Sequence, residues 1–131
     1  MADFKKTTFN NKIDHFSESE VVNGEQEWVN EDEWESEIKT YKQRYWINDD
    51  YWDPEKGPVF LYICGEWTCT PPDHKMFPFI VGAEFSAMLI NIEHRYYGQS
   101  QPVENWTTEN LKYLTSEQAL ADLAYFIEVS N

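Results

Sequence analysis

The chain has 131 residues, room for one domain with a modest core. Its 24 acidic and 10 basic side chains leave a formal charge of −14, which argues against a nucleic-acid binder and against attachment to an anionic membrane surface. Six Trp, eight Tyr and eight Phe exclude a disordered chain, and no apolar stretch reaches the length of a bilayer span.

The start, Met1 to Thr8, lacks the apolar centre of a secretory signal. Residues 1–16 read as irregular or as one short edge element. Ser17 to Ile38 carries nine carboxylates and no Lys or Arg, and reads as an acidic surface insertion turning at Asn23-Gly24. A calcium loop at Glu31-Asp32-Glu33 would need the alternating carboxylates and central Gly of an EF-hand, which this segment lacks.

Thr40 to Ile47 alternates and is rich in aromatic residues, as a half-exposed strand should be. Asn48-Asp49-Asp50 makes a turn, and Tyr51-Trp52 begins a second short strand that Asp53-Pro54 stops. Val59 to Ile63 is a continuous apolar run and predicts a buried strand. After Pro71-Pro72 breaks the chain, Phe79 to Phe85 predicts a helix, with Pro78 near its start. Ala87 to Ile92 predicts a second buried strand, and Trp106 to Leu114 a connector with one helical turn.

Thr115-Ser116-Glu117-Gln118 fits a capping box with Thr115 as N-cap. Leu120, Leu123, Ala124 and Ile127 follow at helical spacing, a stripe predicted to pack on a sheet, with Asp122 and Glu128 off it. The second half is thus βαβα. The fold class is α/β: a mixed, mostly parallel sheet with helices on its faces.

Ligands of open α/β sheets collect beyond the carboxyl ends of the strands. Both apolar runs end in unusual residues, Cys64-Gly65-Glu66-Trp67 and Glu93-His94-Arg95-Tyr96-Tyr97-Gly98. A Gly-bearing loop there suits backbone N–H groups aimed at an oxyanion, and equally a plain turn. Glu93 and Arg95 would suit an acid and an anion clamp, but such a pair more often holds loops as an ion pair, the role favoured here. His94 has no neighbouring nucleophile, and the chain contains no G-x-S-x-G, P-loop, dinucleotide fingerprint or metalloprotease helix. Cys64 and Cys69 either pair or stand as thiols. With His74 they have neither a familiar zinc spacing nor a fourth ligand, so no metal is expected. Asn105-Trp106-Thr107 is a glycosylation sequon.

Five blocks carry a family resemblance: Asp14-His15-Phe16; Thr40 to Tyr45; Gly57-Pro58 to Gly65-Glu66; Glu93 to Ser100; and Leu114 to Ala124. In this order they resemble the serine peptidases of lysosomal Pro-Xaa carboxypeptidase and dipeptidyl peptidase II, over nearly the whole chain outside the insertion. The resemblance implies the N-terminal part of an α/β-hydrolase fold with a helical cap. It implies exopeptidase action on Pro-containing peptides through Ser, Asp and His in that chain order, without metal or organic cofactor, in a lysosomal or secreted glycoprotein.

The family's nucleophile lies in a Gly-Gly-Ser-Tyr-Gly-Gly turn after the strand that follows the Thr115 helix. The whole triad is therefore expected beyond Asn131, and His15, His74 and His94 do not match the catalytic His. By the same resemblance Gly65, Glu66 and Trp67 form the oxyanion loop, and Glu93, His94, Arg95, Tyr97 and Gly98 a structural rim of the active site. Trp67 departs from the family, which commonly has Gly there, and the acidic insertion is longer than usual. An open apolar edge at Val59 to Ile63 is expected, to be covered by a partner strand or a second copy. The alternative to a peptidase segment is a short, non-catalytic binding or assembly subunit on the same fold.

Overall fold

A computed structural model describes residues 5–16 and 39–130, so the acidic insertion and its calcium candidate lie outside the described residues. Four strands are described: β1 (Lys5–Lys12), β2 (Thr40–Asn48), β3 (Val59–Ile63) and β4 (Met88–Ile92). They form one sheet in the order β1-β2-β4-β3. β2 is antiparallel to both neighbours, and β3 runs parallel to β4 from Val59↔Met88 to Ile63↔Ile92. Helix α1 spans Phe77–Glu84, a 3₁₀ turn spans Asn110–Tyr113, and helix α2 spans Ser116–Ser130. Among the described residues no helix is long and apolar enough to cross a membrane.

Side chains of neighbouring strand residues point to opposite faces, and this sorts the molecule into three layers. On one face Tyr45, Ile90 and Ile92 meet Phe126 of α2, together with Phe9. On the other, Trp46 packs against Cys64 and Cys69, and Gly82 of α1 lies on Leu89. A Cβ at Gly82 would come within 2.6 Å of the Leu89 side chain, so glycine lets α1 approach β4 closely.

One sequence expectation is sharpened and three are corrected. The edge element allowed for residues 1–16 is β1, an eight-residue edge strand fully paired with β2, although its sequence KKTTFNNK shows no apolar alternation. Its buried residue is the polar Asn11, which donates to Gln43 Oε1. Tyr51-Trp52 is no strand. The Trp52 N–H donates to the Asp49 carbonyl in a turn, and its indole N–H donates to the Gly57 carbonyl. β3 is not the buried strand its apolar run predicts, with Val59 and Ile63 half exposed; it is the open edge expected there, at the end of the described sheet.

The third correction concerns α2. Its buried residues are Gln118, Asp122 and Phe126, at i, i+4 and i+8, whereas Leu120 is 65% exposed and Ile127 also faces out. Apolar spacing misplaced this helix because its sheet-facing stripe is polar at two positions of three. The N-cap holds, with Thr115 Oγ1 accepting the Gln118 N–H. The Gln118 side chain does not close the box; it accepts the His15 N–H and donates to Asp14. In urea unfolding, Phe126→Ala should cost about 3–5 kcal/mol, and Leu120→Ala less than about 0.5 kcal/mol.

Candidate active site

β3 and β4 are parallel and in register, and the Cys64 N–H donates to the Ile92 carbonyl one step past the strands. The loops bearing Gly65 and Gly98 therefore leave from the same end of the sheet. A disulfide joins Cys64 to Cys69 and closes the first loop, which resolves the two cysteines and takes both from a zinc site with His74. Within that ring the Trp67 N–H donates to the Gly65 carbonyl, and the Trp67 indole lies over Gly65, where a Cβ would collide with it. Among the described residues no acceptor is found for the N–H of Gly65 or of Glu66.

The second loop is a tight knot. Tyr97 N–H donates to His94 O, Ser100 N–H to Tyr97 O and Tyr96 N–H to Ser100 O. Tyr96 and Gly98 both take positive φ, 70° and 54°. Any side chain at Gly98 would run into the Glu93 carboxylate, so this glycine answers both to backbone geometry and to space.

Glu93 joins the two loops. Its Oε2 accepts the Cys69 N–H at 2.9 Å, from the first loop. Its Oε1 accepts the Gln99 N–H at 3.1 Å and the Ser100 hydroxyl at 2.7 Å, from the second. Arg44 of β2 supplies the counter-charge through a two-pronged pair, its Nε 2.8 Å from Oε1. Burial alone would raise the Glu93 pKa, but Arg44, Ser100 and the Cys69 N–H outweigh it and hold the carboxyl below its usual range.

Arg95 does not pair with Glu93. It meets Asp122 of α2 side-on, with Nε–Oδ2 and Nη2–Oδ1 both at 2.7 Å. Its other N–H groups donate to the carbonyls of Lys12, Ile13 and Tyr113, so all five donors are used. Asp122 also accepts from His15 Nε2 and from the Tyr41 hydroxyl, each at 2.7 Å. Burial would raise the Asp122 pKa, but Arg95 and His15 overcome it and lower it. Burial, then the Asp122 charge, pushes the Tyr41 phenol up. This saturated hub has no donor left for a substrate.

His94 Nδ1 lies 2.7 Å from the Arg95 carbonyl; a carbonyl only accepts, so Nδ1 carries the proton. Its ring stands edge-on to Tyr97. With Ile63, Ser116, Leu120 and Leu123, His94 lines a cavity of about 300 Å³ between the sheet rim and α2. Asn105 lies on an exposed loop away from this cavity, its carbonyl taking the Asn110 side-chain N–H. Arg44, Asp122, Tyr41 and Gln43 were not singled out from sequence. The one available signal was a charged residue inside an otherwise apolar pattern, at Arg44 and again at Asp122.

Comparison with known proteins gives the chain a class, that of a serine peptidase family. The serine carboxypeptidase S28 family model matches residues 30–131, and the chain belongs to that family. It is 41% identical over 88 residues to a probable serine protease EDA2 of Arabidopsis thaliana, covering 67% of this chain and 18% of that protein. It is 36% identical over 127 residues to a lysosomal Pro-X carboxypeptidase of Pongo abelii, covering 92% and 22%. A thymus-specific serine protease of Mus musculus is 39% identical over 90 residues, covering 68% and 18%. The chain thus spans about a fifth of the length of the curated relatives it matches.

Glu93→Gln should destabilise the fold by about 3–5 kcal/mol, because it leaves the Arg44 guanidinium buried without its carboxylate. The acid limb follows the same groups. Both carboxyls lie below their unfolded values of roughly 4.3 and 3.9, so their stabilisation is complete above those values and drains as pH falls through the folded-state ones. Urea midpoints measured from pH 7 to 2 should fall in acid for the wild type, and less steeply for Glu93→Gln.

Proposed function

We propose that this segment is the N-terminal part of an α/β-hydrolase domain in a serine exopeptidase that cleaves Pro-containing peptides, and that its Gly65 loop supplies the oxyanion site. The observation that carries this reading is the pair of N–H groups at Gly65 and Glu66, without acceptors among the described residues, at the carboxyl end of parallel strands. In α/β-hydrolases one oxyanion donor comes from the loop after the third strand, and the other from the residue after the nucleophile. The Gly65 loop lies between β3 and α1, which fits the first of these donors.

Chain handedness supports the location of the missing nucleophile. α1 returns from β3 to β4 on one face, and α2 leaves β4 on the other. Right-handed crossovers on opposite faces advance in opposite directions, so a parallel strand following α2 adds outside β3. That edge is open, and the serine turn at the end of such a strand would emerge beside Gly65. The same strand would cover Val59 and Ile63 and make a partner subunit unnecessary there.

The Cys64–Cys69 disulfide suits an oxidising compartment, which agrees with a lysosomal or secreted protein. In a secretory host, Asn105 should gain one N-linked glycan that Asn105→Gln removes, read as a glycosidase-sensitive mass shift.

Glu66→Pro deletes one of the two N–H groups that the Gly65 loop offers to the oxyanion. In the full-length protein it should lower kcat by about 100-fold or more with little change in KM. An unchanged kcat in a variant that keeps its melting temperature would remove the oxyanion role. The pure 131-residue chain should hydrolyse no peptide, and steady turnover of a Pro-containing substrate by it would contradict the reading.

A further inference from the structure

Trp67 lies in the Gly65 loop, and the structure gives it an unusual combination of properties. The residue is 54% exposed, yet it is not loosely held. Its N–H is fixed on the Gly65 carbonyl, and its ring rests on Gly65. The loop that carries it is closed by the Cys64–Cys69 disulfide and tied down by the Cys69 N–H on the Glu93 carboxylate. Glu93 is wholly buried, and Arg44 holds it from β2. A large aromatic ring is thus presented to solvent from a stiff support, at the mouth of the sheet. It lies one residue beyond the two N–H groups that lack acceptors among the described residues.

We propose that the Trp67 indole is a recognition platform for the substrate residue next to the scissile carbonyl, stacking on an apolar ring or side chain there. The inference rests on the oxyanion reading of Gly65 and Glu66. A carbonyl oxygen bound by one of those N–H groups brings the flanking substrate residue within reach of the adjacent side chain. Indole binds apolar rings face-on or edge-on at small entropic cost, and the pinned loop has already met most of that cost. Glycine at the same position offers no such surface. Trp67 therefore acts on which peptide is held, while the neighbouring N–H groups act on the reacting carbonyl.

The test uses the full-length protein with Trp67→Ala and Trp67→Phe. Two matched peptide substrates are compared, one with proline and one with glycine at the residue bearing the scissile carbonyl. Trp67→Ala should raise KM for the proline substrate by about three- to tenfold, with kcat nearly unchanged and little effect on the glycine substrate. Trp67→Phe should restore most of the loss. Equal effects on both substrates, or none, in variants with wild-type melting temperature would overturn the platform while leaving the peptidase reading intact. A wild-type protein that turns over neither substrate would overturn the peptidase reading, and the platform with it.

Discussion

The rim depends on one buried carboxylate. Glu93 sits at the first position past β4 and takes hydrogen bonds from both loops. A carboxylate so enclosed survives only with a counter-charge and filled lone pairs, and Arg44 supplies both from the neighbouring strand. Its length then sets the spacing between the Gly65 and Gly98 loops. Gly98 has no side chain because the carboxylate occupies that space. Substitution of either group alone leaves a bare charge in the interior.

A second ion pair does comparable work behind the rim. Arg95 and Asp122 lock α2 to the sheet, and through the Lys12 and Ile13 carbonyls they also fix the end of β1. Every donor of the guanidinium is spent on the protein itself. Such a hub adds little net stability compared with an apolar core, but its geometry admits a single helix register, since a shift of one residue would bury Asp122 without Arg95. The α2 face is therefore specified by polar pairing, with Phe126 supplying the apolar contact.

Much of the scaffold was legible in the sequence, because β2, β4 and the two helices carry period or capping signals. The mixed α/β class and the parallel β3–β4 pair follow from that. Pairing was not legible. Glu93 and Arg95 are two residues apart and of opposite sign, which invites an ion pair, but the chain has left the strand at Ile92 and the two side chains diverge. Their true partners lie 49 and 27 residues away, beyond any local pattern. β1 was faint for a related reason: its stability comes from its ladder with β2 and from Asn11, and no apolar alternation announces it. Trp67 departs from the resemblance, and its indole folds back over Gly65; among the described residues the N–H groups of Gly65 and Glu66 have no acceptor.

These features converge on a mouth at the carboxyl end of β3 and β4, held open by a disulfide, a carboxylate and two glycines. The most direct measurement is a crystal structure of the full-length protein carrying a peptidyl phosphonate on the serine proposed as its nucleophile. The phosphonyl oxygen should lie about 2.7–3.1 Å from the Gly65 or Glu66 nitrogen. An adduct oxygen bound elsewhere, or a serine emerging at the opposite end of the sheet, would contradict the account.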